Sequence, residues 1–118
     1  MPILGIGTDI VEVRRIQDVC ERESGFAERV FTARELAYSQ GKETKYLNLA
    51  ARFAAKEAVA KALGQSFAWQ DVEVTNDRNG KPRAILRGKA RGVAGGARVH
   101  ISISHTSEYA TAVAIVED

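Results

Sequence analysis

Glu57 and Lys61 stand four residues apart in the run Arg52-Phe53-Ala54-Ala55-Lys56-Glu57-Ala58-Val59-Ala60-Lys61-Ala62-Leu63-Gly64. On a helix that spacing is about 40° of rotation, so both side chains point the same way. A Glu→Lys pair of this kind is commonly a surface ion pair contributing a few tenths of a kcal/mol. A second carboxylate, Asp9, lies at the end of the apolar run from Ile3 to Ile10. A charge there is costly to bury unless paired or metal-bound, although a strand-to-helix junction equally suits an aspartate as an N-cap or turn residue. If the first strand packs beside the Glu57 helix, Asp9 and Glu57 can meet. Two carboxylates with no thiolate or imidazole beside them make a hard, oxygen-rich site. Such a site selects Mg²⁺ over zinc and takes waters and substrate phosphates as its other ligands. Lys61 would then hold a phosphate near the ion, with Arg52 and Lys56 adding positive charge on the approach. The chemistry implied is phosphoryl-type transfer, where positioning and charge neutralisation do most of the catalysis. Ser104-His105-Thr106 adds two hydroxyls and an imidazole, suited to an anion contact or to a structural role.

The elements that must position these groups follow from periodicity. Ile3–Ile10 reads as a buried first strand, whose Gly5 and Gly7 imply a close backbone neighbour or a bend. Val13, Ile16 and Cys20 recur at helical spacing and predict a helix from about Glu12 to Arg22. Phe26 and Phe31 are core aromatics of a short irregular segment. Thr32 and Glu35 have the spacing of a capping box, opening a helix that runs to about Ser39 and stops at Gly41. A long helix spans roughly Tyr46 to Leu63, with Leu47, Ala51, Ala54, Ala58 and Leu63 facing inward and Gly64 closing it.

Beyond Gly64 the period becomes two. Val72 and Val74 alternate with Glu73 and Thr75 as in a half-exposed strand, and Asn79-Gly80 signals a hairpin returning through Ala84-Ile85-Leu86. Gly88 to Gly96 is a short helix or a flexible connection. Val99–Ser104 alternates strictly, with His100 on its solvent side, and Ala110–Val116 is a final strand. Helices in the first half and antiparallel strands in the second predict an α+β fold, a long helix packed on a mostly antiparallel sheet.

Bulk properties exclude several classes. A chain of 118 residues, 45 % hydrophobic and 27 % charged, suits one globular domain spanning 1–118. No apolar run approaches the ~20 residues that span a bilayer. The N-terminus carries no basic flank before a leader-like segment, so no signal peptide is expected. Cys20 is the only cysteine, which excludes an intrachain disulfide and a multi-cysteine metal site, fits a cytoplasmic setting, and suits a small buried hydrophobe. Net charge is only +2, yet seven basic residues and no acid lie between Arg78 and Arg98, suiting a phosphate-bearing ligand, an acidic partner or a solvated basic edge. Aromatic residues are 7 % of the chain and no basic–aromatic interleaving occurs, so nucleic-acid binding is not expected. A Walker-type glycine loop is absent too, which argues against an ordinary nucleoside-triphosphate enzyme.

Three blocks together resemble a known family: Gly5-Ile6-Gly7-Thr8-Asp9-Ile10-Val11-Glu12-Val13, the Arg52–Gly64 run, and Ser102-Ile103-Ser104-His105-Thr106. In this order and spacing they resemble holo-[acyl-carrier-protein] synthase, the small stand-alone type of 4′-phosphopantetheinyl transferase, and the Asn79-Gly80-Lys81-Pro82 turn fits as well. The resemblance covers essentially the whole chain. It implies transfer of the phosphopantetheine arm of coenzyme A to a serine of apo acyl carrier protein, an acidic partner in fatty acid biosynthesis, with release of adenosine 3′,5′-bisphosphate. Asp9 and Glu57 would hold Mg²⁺ on the pyrophosphate, Glu57 would help take the serine proton, and Lys61 would neutralise charge on the leaving phosphate. Lys45, Arg52 and His105, flanked by Ser104 and Thr106, would meet the phosphates of the adenosine end, and Asn79, Gly80, Lys81 and Pro82 would line the adenine side. The resemblance further implies a homotrimer with the site between subunits, and carrier docking on the first helix through Arg14, Arg15 and Arg22. Asp18, Glu21 and Glu23 dilute that basic helix here. The alternative from another class is a non-catalytic module binding coenzyme A or nucleotides through the Arg78–Arg98 stretch, with no need of a metal.

Overall fold

A computed structural model describes residues 2–118. In chain order the elements are β1 (Ile3–Glu12), α1 (Val13–Arg22), α2 (Phe26–Val30), α3 (Ala33–Ser39), α4 (Lys45–Leu63), a 3-10 turn (Trp69–Asp71), β2 (Val72–Asn76), β3 (Pro82–Leu86), α5 (Gly88–Ala94), β4 (Arg98–His105) and β5 (Tyr109–Glu117). β1, β5 and β4 form one antiparallel sheet in that order, and β2 and β3 form a separate antiparallel hairpin. The fold is α+β, with α4 as its axis: it packs on β1, β5 and β4 on one side and on α1, α3 and β2 on others.

Alanine makes that arrangement possible. Ala50, Ala51, Ala54, Ala55, Ala58 and Ala62 are all buried along α4, beside Leu49 and Val59. With only a methyl group at each, the helix comes down onto the strand backbone. A Cβ built on Gly7 would lie 2.1 Å from the Ala58 carbonyl oxygen, and one on Gly5 would lie 1.9 Å from that of Ala62. The glycines therefore mark a close backbone neighbour, as one of the two sequence expectations held. The helix ends at Gly64, in the left-handed region at φ 75°, whose N–H bonds to Ala60 O.

Several expectations need correction. β1 is an edge strand and is not buried on both faces. Its even-numbered side is bare, leaving Ile6 and Ile10 64 % and 67 % exposed, with Ile3 and Leu4 near 60 %. An apolar run cannot by itself tell burial within one chain from burial against another. Phe26 opens a five-residue helix and not an irregular segment, while Phe31 is fully buried. Gly88–Ala94 takes the helical option. Leu47 and Leu63 are only half-buried, because the inward arc of α4 is wider than one stripe. Glu73 is buried and not on a solvent face, since α3 covers that side of β2. Cys20 is half-buried against the core, and desolvation pushes its thiol pKa up. The Thr32–Glu35 capping box forms as read from the sequence.

Candidate active site at the strand–helix contact

Successive residues of α4 turn about 100°, so the helix divides its charges among different neighbours. Ala58 and Ala62 face β1. Arg52 and Lys56 face the opposite way, toward α3 and β2, and are 4 % and 3 % exposed. They do not stand on an open approach, as the sequence suggested. Arg52 donates to Asn76 Oδ1 at 2.6 Å and stacks its guanidinium 4.3 Å from the Tyr38 ring centre, while its Nε has no partner among the described residues. Lys56 pairs with the buried Glu35 at 2.9 Å. Burial lowers the pKa of both cations, and the Glu35 carboxylate works against that shift.

Glu57 and Lys61 fall between these two faces. Lys61 Nζ donates to Thr8 O at 2.9 Å and lies 3.5 Å from Asp9 Oδ1. Its ion pair is thus with the strand, where the helix spacing alone suggested Glu57. Desolvation raises the Glu57 pKa first, and the charge of Asp9 raises it further, with Lys61 opposing. Asp9, Glu57 and Lys61 therefore converge where β1 crosses α4. Asp9 and Lys61 line one cavity of about 360 Å³ with Thr8, Ile10 and Thr111. Glu57 borders a second, of about 240 Å³, walled by Ala60, Phe67, Ala68, Trp69 and Val72. Those aromatic walls had no functional signal in the sequence. No cluster of three or more His, Cys, Asp or Glu suited to a metal occurs among the described residues, so a two-carboxylate, all-oxygen pair is the donor set on offer.

The other candidate residues lie apart within one chain. Lys45 opens α4, twelve residues before Glu57, or about 18 Å along the axis. The Asn79–Pro82 turn is tied to the middle of α4, because Asn76 accepts from Arg52 and donates to Gly80 O. Ser104 and His105 end β4, on the far side of β5 from β1, about 10 Å across the sheet from the Asp9 strand. Thr106 Oγ1 accepts from the N–H groups of Glu108 and Tyr109 and so shapes the β4–β5 turn. On α1, Arg15 and Arg22 line a groove with Phe26 and Phe53, Arg14 borders a neighbouring groove with Glu21 and Glu108, and Glu12 and Asp18 border both.

The 4′-phosphopantetheinyl transferase superfamily model matches residues 5–114. The chain belongs to that superfamily. Among curated relatives, the holo-[acyl-carrier-protein] synthase of Caldanaerobacter subterraneus subsp. tengcongensis is 44 % identical, over 93 % of this chain and 91 % of its own. That of Koribacter versatilis is 45 % identical, over 98 % and 99 %. Among solved structures, the Bacillus anthracis holo-(acyl-carrier-protein) synthase in complex with CoA (3′,5′-ADP) superposes with a TM-score of 0.84 at 37 % identity, covering 98 % of this chain and 97 % of that one. Holo-ACP-synthase from Plasmodium yoelii gives 0.86 at 37 %, covering 98 % and 94 %. The matched span includes Asp9, Glu57, Lys61 and His105 together. No helix among the described residues is long and apolar enough to cross a membrane.

Proposed function

We propose that this chain is a holo-[acyl-carrier-protein] synthase. It moves the 4′-phosphopantetheine arm of coenzyme A onto a serine hydroxyl of apo acyl carrier protein. The observation that carries the reading is the convergence of Asp9, Glu57 and Lys61 at the β1–α4 contact in a chain of this superfamily. In the reaction a bond forms between the serine oxygen and the phosphorus that carries pantetheine, and the pyrophosphate P–O bond breaks. The electron pair leaves on the 5′-phosphate of adenosine 3′,5′-bisphosphate, and the serine proton passes toward Glu57.

The donor set fits Mg²⁺. Burial raises the Glu57 pKa and the charge of Asp9 raises it further, and a divalent cation held by the two carboxylates would relieve that pressure. Bound there, the ion supplies neutralisation of pyrophosphate charge. Lys61, held beside Asp9 by the Thr8 carbonyl, balances negative charge on the departing phosphate. Lys45 and Lys81 are the accessible cations for the 3′-phosphate and adenine end. Arg52 serves from behind, by fixing Asn76 and through it the Asn79–Pro82 turn that lines the adenine.

Ser104, His105 and Thr106 lie too far from Asp9 to share a phosphate with it in one chain, so a neighbouring subunit supplies them. The bare face of β1 fits this arrangement, since Ile6 and Ile10 lie exposed on the sheet side away from α4. The family resemblance makes that assembly a homotrimer. The carrier docks along α1 through Arg14, Arg15 and Arg22, and Glu12 and Asp18, which border the grooves on both sides, dilute that positive surface. The whole of 1–118 acts as one domain, in the cytoplasm, as part of fatty acid biosynthesis.

The test is incubation with coenzyme A, Mg²⁺ and apo carrier protein, followed by the mass of the carrier. A gain of one phosphopantetheine, lost on adding chelator, is expected. Chelator-insensitive coenzyme A binding with no transfer would instead establish the non-catalytic module.

A further inference from the structure

Lys56 is the buried cation that the proposed reaction leaves unused. An ammonium has three N–H donors and no acceptor, and here all three are engaged. Nζ donates to Trp69 O at 3.1 Å and to Val72 O, and it pairs with Glu35 Oε1 at 2.9 Å. Glu35 is satisfied in turn, accepting from Thr32 N at 2.9 Å and Val74 N at 2.7 Å. The two carbonyls that Lys56 holds belong to the wall of the cavity bordered by Glu57. That wall follows Gly64 through a stretch, Gln65–Ala68, with no regular structure. Its other ties include the Phe53–Trp69 stack, with ring centres 5.0 Å apart, the Gln70 amide bonded to Glu28 O and Phe31 O, and Asp71 O accepting from Arg87 N at 2.8 Å. Lys56 is thus the polar link between α4, which presents Glu57, and the segment opposite.

Stability does not explain such a group. A buried Lys–Glu pair is often matched or bettered by apolar residues of similar volume. What an apolar side chain cannot do is donate to two carbonyls at once. We propose that Lys56 is a positioning residue, which through the Trp69 and Val72 carbonyls fixes the cavity wall facing Glu57 and so sets how coenzyme A is seated. The proposal rests on the reading that coenzyme A lies at Asp9 and Glu57.

Trp69 is the only tryptophan of the chain, so its emission reports the wall directly. The experiment compares the full chain with Lys56→Met and with the double variant Glu35→Gln/Lys56→Met. It measures thermal unfolding, Trp69 emission and acrylamide quenching, and transfer kinetics with coenzyme A varied. The single variant leaves Glu35 buried without its cation and is expected to lose stability. The double variant leaves no orphaned charge, but its new amide N–H₂ faces either Thr32 N or Val74 N, so it is expected to regain only part of that stability. Its Trp69 should nonetheless emit further to the red and be quenched more readily. Its KM for coenzyme A should rise about tenfold with kcat within about threefold, tenfold being ~1.4 kcal/mol and on the scale of a lost hydrogen bond. A double variant with the parent's quenching and KM would overturn the proposal, as would one in which kcat alone falls. The fluorescence needs no turnover. An inactive parent therefore refutes the enzyme reading alone, while unchanged fluorescence refutes the positioning role alone.

Discussion

At the residue scale, titration separates the candidate-site carboxylate Glu57, on α4, from the structural carboxylate Glu73, on β2. Glu57 has its pKa raised, chiefly by desolvation. A carboxylate more easily protonated in the folded state loses stability as pH rises from its unfolded value through the folded one. Neutral Glu57→Gln is therefore expected to unfold at or above the parent temperature at pH 7 without metal, while transfer falls by at least about 10²-fold. Asp9→Asn should lose transfer to a similar extent. Calorimetry beside the carrier mass assay checks both, and near-normal transfer in either variant would remove that residue from the site. Glu73 is the opposite case. Burial pushes its pKa up, but hydrogen bonds from Thr32 and Arg87 outweigh this and hold it below the usual value. Its stabilisation is present above the unfolded pKa and lost as pH falls through the folded one. Glu73→Gln should thus flatten the acid side of the stability–pH curve in thermal melts taken between about pH 3 and pH 7.

At the element scale, the site exists because one helix and one strand touch backbone to backbone. Gly7→Ala places a methyl against the Ala58 carbonyl and within 2.9 Å of Lys61 Cβ. Neither atom belongs to the free end of a side chain, so β1 and α4 must part. The expected cost is about 1–3 kcal/mol in denaturant unfolding. Parting them also moves Lys61 and Glu57 away from Asp9. Displacement of about 1 Å can lower rate by roughly 10²-fold, so transfer should fall beyond what the unfolded fraction explains. Unchanged stability would mean that the contact is looser than the geometry indicates.

At the scale of the whole molecule, the question is what covers β1. Ile6 and Ile10 are exposed on the sheet face away from α4, with Thr8 between them, and that face continues across β5 through Ile115 and Val113. Ile10→Lys puts a charge into this surface without touching the α4 side. Sedimentation velocity is expected to show the parent at three times the chain mass and the variant as a monomer. The variant should keep its helical spectrum and lose transfer, because His105 then has no neighbouring Asp9 to complete. A parent sedimenting only as a monomer would overturn the shared site.

The sequence alone carried the order of the elements apart from the two short helices α2 and α5, the capping box at Thr32, the helix stop at Gly64 and the Asn79-Gly80 turn, because each depends on residues within a few positions of one another. It also brought Asp9, Glu57 and Lys61 into question together, since glycines on the strand and alanines on the helix are the local signature of two backbones in contact. Tertiary structure alone decided which charges went where. Nothing local distinguishes Lys56 from Lys61 on an Ala-rich helix. Their fates differ because α3 and β2, brought in from Glu35 and Glu73, close over one side, while β1 leaves the other open beside Asp9. Burial of a charge is set by partners distant in the chain, and the spacing of neighbours does not encode them.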